Sequence, residues 1–575
     1  MPAMKKPCKY LLVGLLVLIV NDVFAQRQSF ISAINSPNQW ADSVFRKLSK
    51  KKKIAQLFFV RAHTNRGQAY EDSVAKVIEK EQPGGLVFFQ GGPVRQADLT
   101  NRYQQLAKVP LLIAMDGEWG LGMRLDSTLS YPYQMTLGAI QDNTLIYKMG
   151  QMIARDFKRV GMQINLAPDM DVNNNPSNPV INYRSFGDDK FNVAKKGIAY
   201  MQGMQDAGLI TTAKHFPGHG DTNVDSHQDL PLLPFTRQRL DSLEEYPFRE
   251  AIKAGISGIM VAHMNIPALD TTLHLPSTLS RPIITGILKD SLGFKGLVVS
   301  DAMEMKGVVK YFPNGEADVR AFIAGNDILE LSENSKRAVK MIRKAIRKKK
   351  VSKEEFETKV KKVLAAKYWA GLNQYEPTPT TNITADLNRD DAKQLIQQLA
   401  DAAITLLKGD SLLAQLAPAK RTVIISIGAT IPTVYQQELS KTFNNSTLLQ
   451  VSDGTSVADL NSLLSSLKGY DQIIVGIHDP RSRPGSKLPY SVNLQSFISG
   501  VSALPNTVVS VFANPYTIAG LPGIEKVGAL IVGYQKEDFM QKAAAKVISG
   551  QLKPTGKLSV TINQLFTTGA GIASL

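Results

Sequence analysis

The apolar run Leu209-Ile210-Thr211-Thr212-Ala213 leads directly into Lys214-His215-Phe216-Pro217-Gly218-His219-Gly220-Asp221-Thr222-Asn223-Val224-Asp225-Ser226-His227. The first five residues have the length and β-branched content of a short buried strand. The next fourteen carry three of the chain's seven histidines, and Pro217, Gly218 and Gly220 forbid regular structure through the middle. A strand that ends in a bent polar loop is how a rigid scaffold presents functional side chains.

The same pattern recurs upstream and downstream. Apolar runs at 56–60, 85–89, 111–115, 163–166, 210–213, 258–262, 297–300 and 327–331 alternate with longer amphipathic segments. Asp116 follows the third run, Asp169 the fourth, Lys214 and His215 the fifth, His263 the sixth and Asp301 the seventh. Eight β/α units predict a TIM-type (β/α)8 barrel over residues 26–372. In such a barrel all these polar positions share the C-terminal rim, where barrel enzymes hold their active sites.

Residues 373–390, rich in Pro, Thr and Asn, read as a linker. Further strands at 422–427, 448–451, 472–477, 508–512 and 529–532 predict a smaller α/β sandwich with a mostly parallel sheet over 391–575. No glycine-rich nucleotide fingerprint opens it.

The N-terminus has the form of a signal peptide: Lys5, Lys6 and Lys9, an apolar stretch from Leu11 to Val20, then Val23-Phe24-Ala25 before Gln26. An exported protein, periplasmic or extracellular, is expected, with no stable membrane anchor, because about ten apolar residues cannot span a bilayer. Removal of residues 1–25 takes away Cys8, the single cysteine, and with it disulfide and thiolate chemistry. The formal charge of +17 falls to +15 with the loss of three lysines and Asp22. That charge suits an anionic surrounding such as cell-wall polymer. The basic run from Lys336 to Lys362 reads as a solvated helical face, with a capping box at Ser352-Lys353-Glu354-Glu355. Nothing has the aromatic interleaving of a nucleic-acid surface, and a monomer is expected.

Two chemistries fit the 214–227 loop. His215, His219, Asp225 and His227 could serve as metal ligands, but Pro217 and Gly218 keep His215 and His219 off a common helix face. Asp225 and His227, two residues apart, project to one side of a locally extended segment. A carboxylate beside an imidazole orients the ring and raises its basicity, as a general acid/base requires.

The loop, together with Gly296-Leu297-Val298-Val299-Ser300-Asp301-Ala302-Met303, Lys53-Ile54-Ala55-Gln56-Leu57-Phe58, Ile164-Asn165-Leu166-Ala167-Pro168-Asp169, Asn178–Phe186 and Val261-Ala262-His263-Met264, resembles glycoside hydrolase family 3, specifically its β-N-acetylglucosaminidases. The resemblance implies an exo-acting retaining glycosidase without a cofactor or metal, acting on N-acetylglucosaminides such as peptidoglycan fragments. It implies that Asp301 is the nucleophile and that Asp225 and His227 form the acid/base dyad. It further implies that Asp116, Arg184, Lys214 and His215 bind the hydroxyls of the terminal sugar, with His263 and Asp169 near the site. Other specificities of the fold, β-glucosidase or β-xylosidase, and a silent carbohydrate-binding protein are the alternatives. The chain departs from the family pattern at Met115-Asp116-Gly117-Glu118-Trp119-Gly120, where the bulky Trp119 stands beside the sugar-binding aspartate. His219 receives no role.

Overall fold

The computed structural model describes residues 28–573, so the expected signal peptide lies outside the described residues. Eight parallel strands form one sheet: β1 (Phe58–Ala62), β2 (Gly85–Phe88), β3 (Leu112–Met115), β4 (Ile164–Asn165), β5 (Ile210–Phe216), β6 (Gly258–Val261), β7 (Leu297–Ser300) and β8 (Leu329–Glu330). Each pairs with its predecessor through β7, and β8 pairs with β1. A bridge from Val299 to Ile328 closes the ring between β7 and β8. Most of these strands are buried along their whole length, as a parallel sheet wrapped in helices must be.

Several strand predictions shift at their ends, the first and the eighth for identifiable reasons. The first strand begins at Phe58 and not at residue 56, because Gln56 caps the helix Lys50–Ala55. Its buried side-chain amide donates to the Gln82 carbonyl at 3.0 Å and accepts from Lys367 at 2.6 Å. The eighth is limited to Leu329–Glu330, since Asp327 stays at the barrel floor, where its carboxylate accepts the Val298 N–H at 3.0 Å.

The basic run also departs from a purely solvated face. It forms the helices Ser335–Arg347 and Lys353–Trp369, the second capped by Ser352, whose hydroxyl accepts the Glu355 N–H at 2.9 Å. The Glu355 side chain, which would close a reciprocal box, instead faces Arg281 at 3.5 Å. Lys359, Lys362 and Lys367 are buried against the barrel floor. They donate to the Asn326 carbonyl, the Gly296 carbonyl and the Gln56 amide oxygen, respectively, satisfying polar groups that the helix covers.

Residues 375–386 are strapped to the barrel. Asn101 donates to the Thr378 carbonyl and accepts from the Thr378 N–H and the Tyr375 hydroxyl, each at 2.8 Å. Arg159 reaches Asp386 at 2.7 Å and two carbonyls beyond residue 378.

The second sheet has six strands, not five: β9 (Thr405–Lys408), β10 (Thr422–Ile427), β11 (Ser446–Val451), β12 (Gln472–His478), β13 (Thr507–Phe512) and β14 (Ala529–Val532), in the order β11-β10-β12-β13-β14-β9. The additional strand, β9, runs antiparallel along the β14 edge. Among the described residues no helix is long and apolar enough to cross a membrane.

This layer packs on the loops that follow β3 and β4. Gln535 accepts from the Thr136 hydroxyl at 2.7 Å and the Tyr133 N–H at 2.9 Å, and the Tyr516 hydroxyl donates to the Asn173 carbonyl at 3.2 Å. Gly187 has φ of +140°, and a Cβ there would meet the Ser559 carbonyl oxygen. Gly187→Ala should therefore cost about 1–3 kcal/mol of stability and lower the calorimetric melting midpoint. An unchanged midpoint would show that the interface yields freely.

Candidate active site

Strand alternation decides which side chains enter the barrel. On β1, Val60 and Ala62 turn outward to pack with Val74, Ala75 and Ile78 of the helix Gln68–Glu81, so Phe59 and Arg61 face inward. Phe59, Leu112, Ala114, Ile210, Leu297 and Val299 share the interior core. Continuing each alternation to the C-terminal rim brings Asp116, Lys214 and Asp301 into the same inward layer.

A chain of alternating charge occupies that layer. Asp116 pairs with Arg124 at 2.6 Å and with Lys214 at 2.8 Å. Lys214 also reaches Glu118 at 2.9 Å, and Glu118 accepts from Arg184 at 2.7 Å. Lys214 and Glu118 are buried. Burial alone would lower the Lys214 pKa, but Asp116 and Glu118 outweigh it and raise the ammonium. Burial would likewise raise the Glu118 carboxyl, yet Arg184 and Lys214 hold it down to about 2. Each charge is kept by its neighbours.

The next link is built on Asp171. Its carboxylate sits 2.7 Å from His215 Nδ1 and accepts the backbone N–H of His219 at 2.7 Å. His215 Nε2 is 3.4 Å from Arg184, which ties the imidazole to the charge chain. Asp169 is buried, with one oxygen accepting the Asp171 N–H and the other without a hydrogen-bond partner, 3.8 Å from Arg184 and 3.7 Å from His215 Nδ1. Burial, then the adjacent Asp171 charge, raises its carboxyl well above the usual range. Asp169, Asp171 and His215 bring potential ligand atoms within 4.8 Å of one another. Several of those atoms are already engaged within the cluster, since Asp171 takes His215 Nδ1 and two backbone N–H groups.

His219, which the sequence left without a task, is a buried bracket. Its Nδ1 meets the Thr222 hydroxyl at 2.8 Å and its Nε2 the Ser226 hydroxyl at 3.2 Å. Burial, then His215, lowers its pKa to about 4, so the ring is neutral and serves as a linker. Ser226 stands between Asp225 and His227, and His219 thereby ties their loop to the rim end of β5.

Asp225 and His227 meet as the spacing implies, but not in an extended segment. One Asp225 oxygen accepts the His227 N–H and lies against His227 Nδ1, both at 2.8 Å, which folds the pair into a turn. The imidazole is 63% exposed and its Nε2 is free of that contact. The Ser226 carbonyl accepts the Gly307 N–H at 3.3 Å, so the loop rests on the segment that follows Asp301.

Asp301 accepts the Ala302 N–H at 2.7 Å. Burial would raise its carboxyl, but His263, His215, the Ala302 N–H and His227 together hold it below the usual range. His263 is fully buried and has both ring nitrogens engaged, by the Thr278 hydroxyl at 2.7 Å and the Ala302 carbonyl at 3.0 Å. It positions the turn that carries Asp301. Its own pKa is lowered by burial.

Arg124 and Asp171 are functional neighbours that sequence reasoning missed. Asp171 had a signal, because Asp169-Met170-Asp171 places two carboxylates on one face of an extended segment. Arg124 had none. Trp119, Tyr133 and Tyr183 form an aromatic ledge beside this network, with centroids 4.9 Å apart for Trp119–Tyr133 and for Tyr133–Tyr183.

Residues 49–366 match the family described as "Glycosyl hydrolase family 3 N terminal domain". A protein named Beta-hexosaminidase A from Pseudoalteromonas piscicida is 32% identical over 375 residues, 59% of this chain and 62% of that protein. A Beta-N-acetylglucosaminidase/beta-glucosidase from Cellulomonas fimi is 27% identical over 377 residues, 64% of this chain and 66% of that protein. The matches thus span just under two thirds of both relatives. The structure of a glycoside hydrolase family 3 beta-N-acetylglucosaminidase from Paenibacillus sp. str. FPU-7 superposes with a TM-score of 0.75 at 30% identity, covering 90% of this chain and 99% of that one. The beta-glucosidase of Listeria innocua, at 18% identity and a TM-score of 0.77, shares the fold.

Glu118 makes the charge chain pH-sensitive. Its folded pKa of about 2 lies below the ordinary 4.5, so the stability it contributes is complete above 4.5 and is lost as pH falls toward 2. Glu118→Gln should flatten the acid limb of a urea-midpoint-against-pH curve across that window. It should also cost about 3–5 kcal/mol near neutrality, by leaving buried cations uncompensated. An unchanged acid limb would mean that other carboxylates govern it.

Proposed function

The chain belongs to glycosyl hydrolase family 3, and from that premise we propose that it is an exo-acting, retaining β-N-acetylglucosaminidase of exported bacterial type. The observation that carries this reading is the pairing, on one barrel rim, of a carboxylate kept ionised at Asp301 with an Asp225–His227 dyad whose Nε2 is free. Retaining hydrolysis needs a nucleophilic carboxylate on one side of the anomeric carbon and a proton donor for the leaving oxygen.

In the first step an Asp301 oxygen bonds to the anomeric carbon while the glycosidic bond breaks. His227 Nε2–H gives its proton to the departing oxygen, and Asp225 stabilises the imidazolium through Nδ1. In the second step His227 removes a proton from water, whose oxygen bonds to the anomeric carbon and releases Asp301. Asp116, Lys214, Arg184 and His215 supply the charged donors and acceptors that grip the sugar hydroxyls. The net positive charge and the expected export fit fragments of peptidoglycan as substrate.

The Cellulomonas relative's double name makes β-glucosidase the second reading. Hydrolysis of p-nitrophenyl N-acetylglucosaminide should exceed that of the glucoside, and a clear preference for the glucoside would sink the first. Asp301→Ala should abolish turnover. His227→Ala should slow glycosides with poor leaving groups by about 10²–10⁴-fold while sparing activated aryl glycosides far more. Equal losses on both substrate types would remove His227 from the proton-donor role.

A further inference from the structure

The rim layer holds one more carboxyl, Glu330, the last residue of β8. It pairs in register with Phe59, whose side chain faces the barrel interior, so Glu330 faces inward as well. Its backbone N–H donates to the Ser300 hydroxyl at 3.0 Å, and its carbonyl accepts the Met303 N–H at 2.9 Å. The residue is thereby clamped to both sides of Asp301. Only 3% of it is exposed, and its Oε1 is buried with no hydrogen-bond partner.

We propose that Glu330 is a specificity-determining, substrate-binding residue whose carboxyl group meets a hydroxyl of the terminal sugar between Asp116 and Asp301, an assignment that rests on the glycosidase reading above. An inward-facing carboxyl without a partner is costly, and an aliphatic side chain like its neighbours Leu329 and Leu331 would fill the position more cheaply. The cost is recovered when a polar ligand enters. Asp116 and Asp301, as carboxylates, only accept hydrogen bonds. A neutral carboxyl between them adds an O–H donor to that side of the site.

The charges around Glu330 favour that neutral form. Burial has the largest effect and raises its pKa well above the ordinary value, and Asp116 after β3 and Asp301 after β7 add to it. Lys214 on β5 and Arg61 on β1 oppose it. Arg61 makes its own ion pair with Glu304 at 2.5 Å. Glu330 is thus neutral below its raised pKa, and as pH climbs through it a third carboxylate forms in the layer.

The test measures the Kd for N-acetylglucosamine by calorimetry and kcat/KM for p-nitrophenyl N-acetylglucosaminide and its 4-deoxy and 6-deoxy analogues. Glu330→Leu should weaken sugar binding and lower kcat/KM by about ten- to a hundredfold, the worth of one hydrogen bond lost in a buried site. Glu330→Gln, which keeps a neutral N–H donor and the same shape, should recover most of that loss and lack the wild type's alkaline weakening of N-acetylglucosamine binding, read as Kd against pH. On one deoxy analogue the penalty of Glu330→Leu should vanish. Should Glu330→Leu fail to fold, the Kd-against-pH profile of Glu330→Gln and its analogue dependence still decide. An equal penalty on every analogue, or a Glu330→Gln variant whose Kd for N-acetylglucosamine rises at alkaline pH as the wild type's does, would overturn the assignment. Weakened sugar binding in the variants of a wild type that binds but never hydrolyses would support Glu330 and overturn the hydrolase reading instead.

Discussion

The constraint on which the site depends is the cost of burying charge. Lys214 and Glu118 are nearly inaccessible to water, and neither would stay ionised alone. They do so because Arg124, Asp116, Lys214, Glu118 and Arg184 follow one another with alternating sign at 2.6–2.9 Å. This chain ties the loops after β3 and β4 to strand β5. The rim thus presents donors and acceptors whose positions are already set, so that a polar ligand would not spend binding energy on ordering them.

The segment from Leu209 to His227 is organised by the same logic. Its first half is strand, longer than expected, running through Phe216 so that Lys214 and His215 emerge from the rigid barrel. Its second half is irregular, yet the buried, neutral His219 ties it back through Thr222 and Ser226. Asp171 joins the halves by accepting from the backbone of both His215 and His219. The exposed His227 therefore stands at the end of an anchored loop, next to solvent that can deliver and remove protons.

Periodicity carried the architecture a long way. Eight apolar runs with polar residues at their C-terminal ends sufficed for the barrel, because burial on both faces makes parallel strands nearly continuous in hydrophobicity. It was weaker at edges. Residues 405–408 escaped notice because a short antiparallel edge strand directly after a helix lacks the flanking turn signals that marked the others. The lysines at 359, 362 and 367 read as part of a solvated face, although their long stems carry the ammonium groups to carbonyl and amide oxygens under the barrel.

Local pattern along the chain suffices for the order of strands, the rim that collects the polar residues and the spacing of Asp225 and His227. Tertiary structure alone decided which charges neutralise one another. Lys214 and Asp116 are 98 residues apart, and Arg184 and Glu118 are 66 apart. No local period connects such positions; closure of the barrel brings them within bonding distance, and only there does desolvation make each depend on the other.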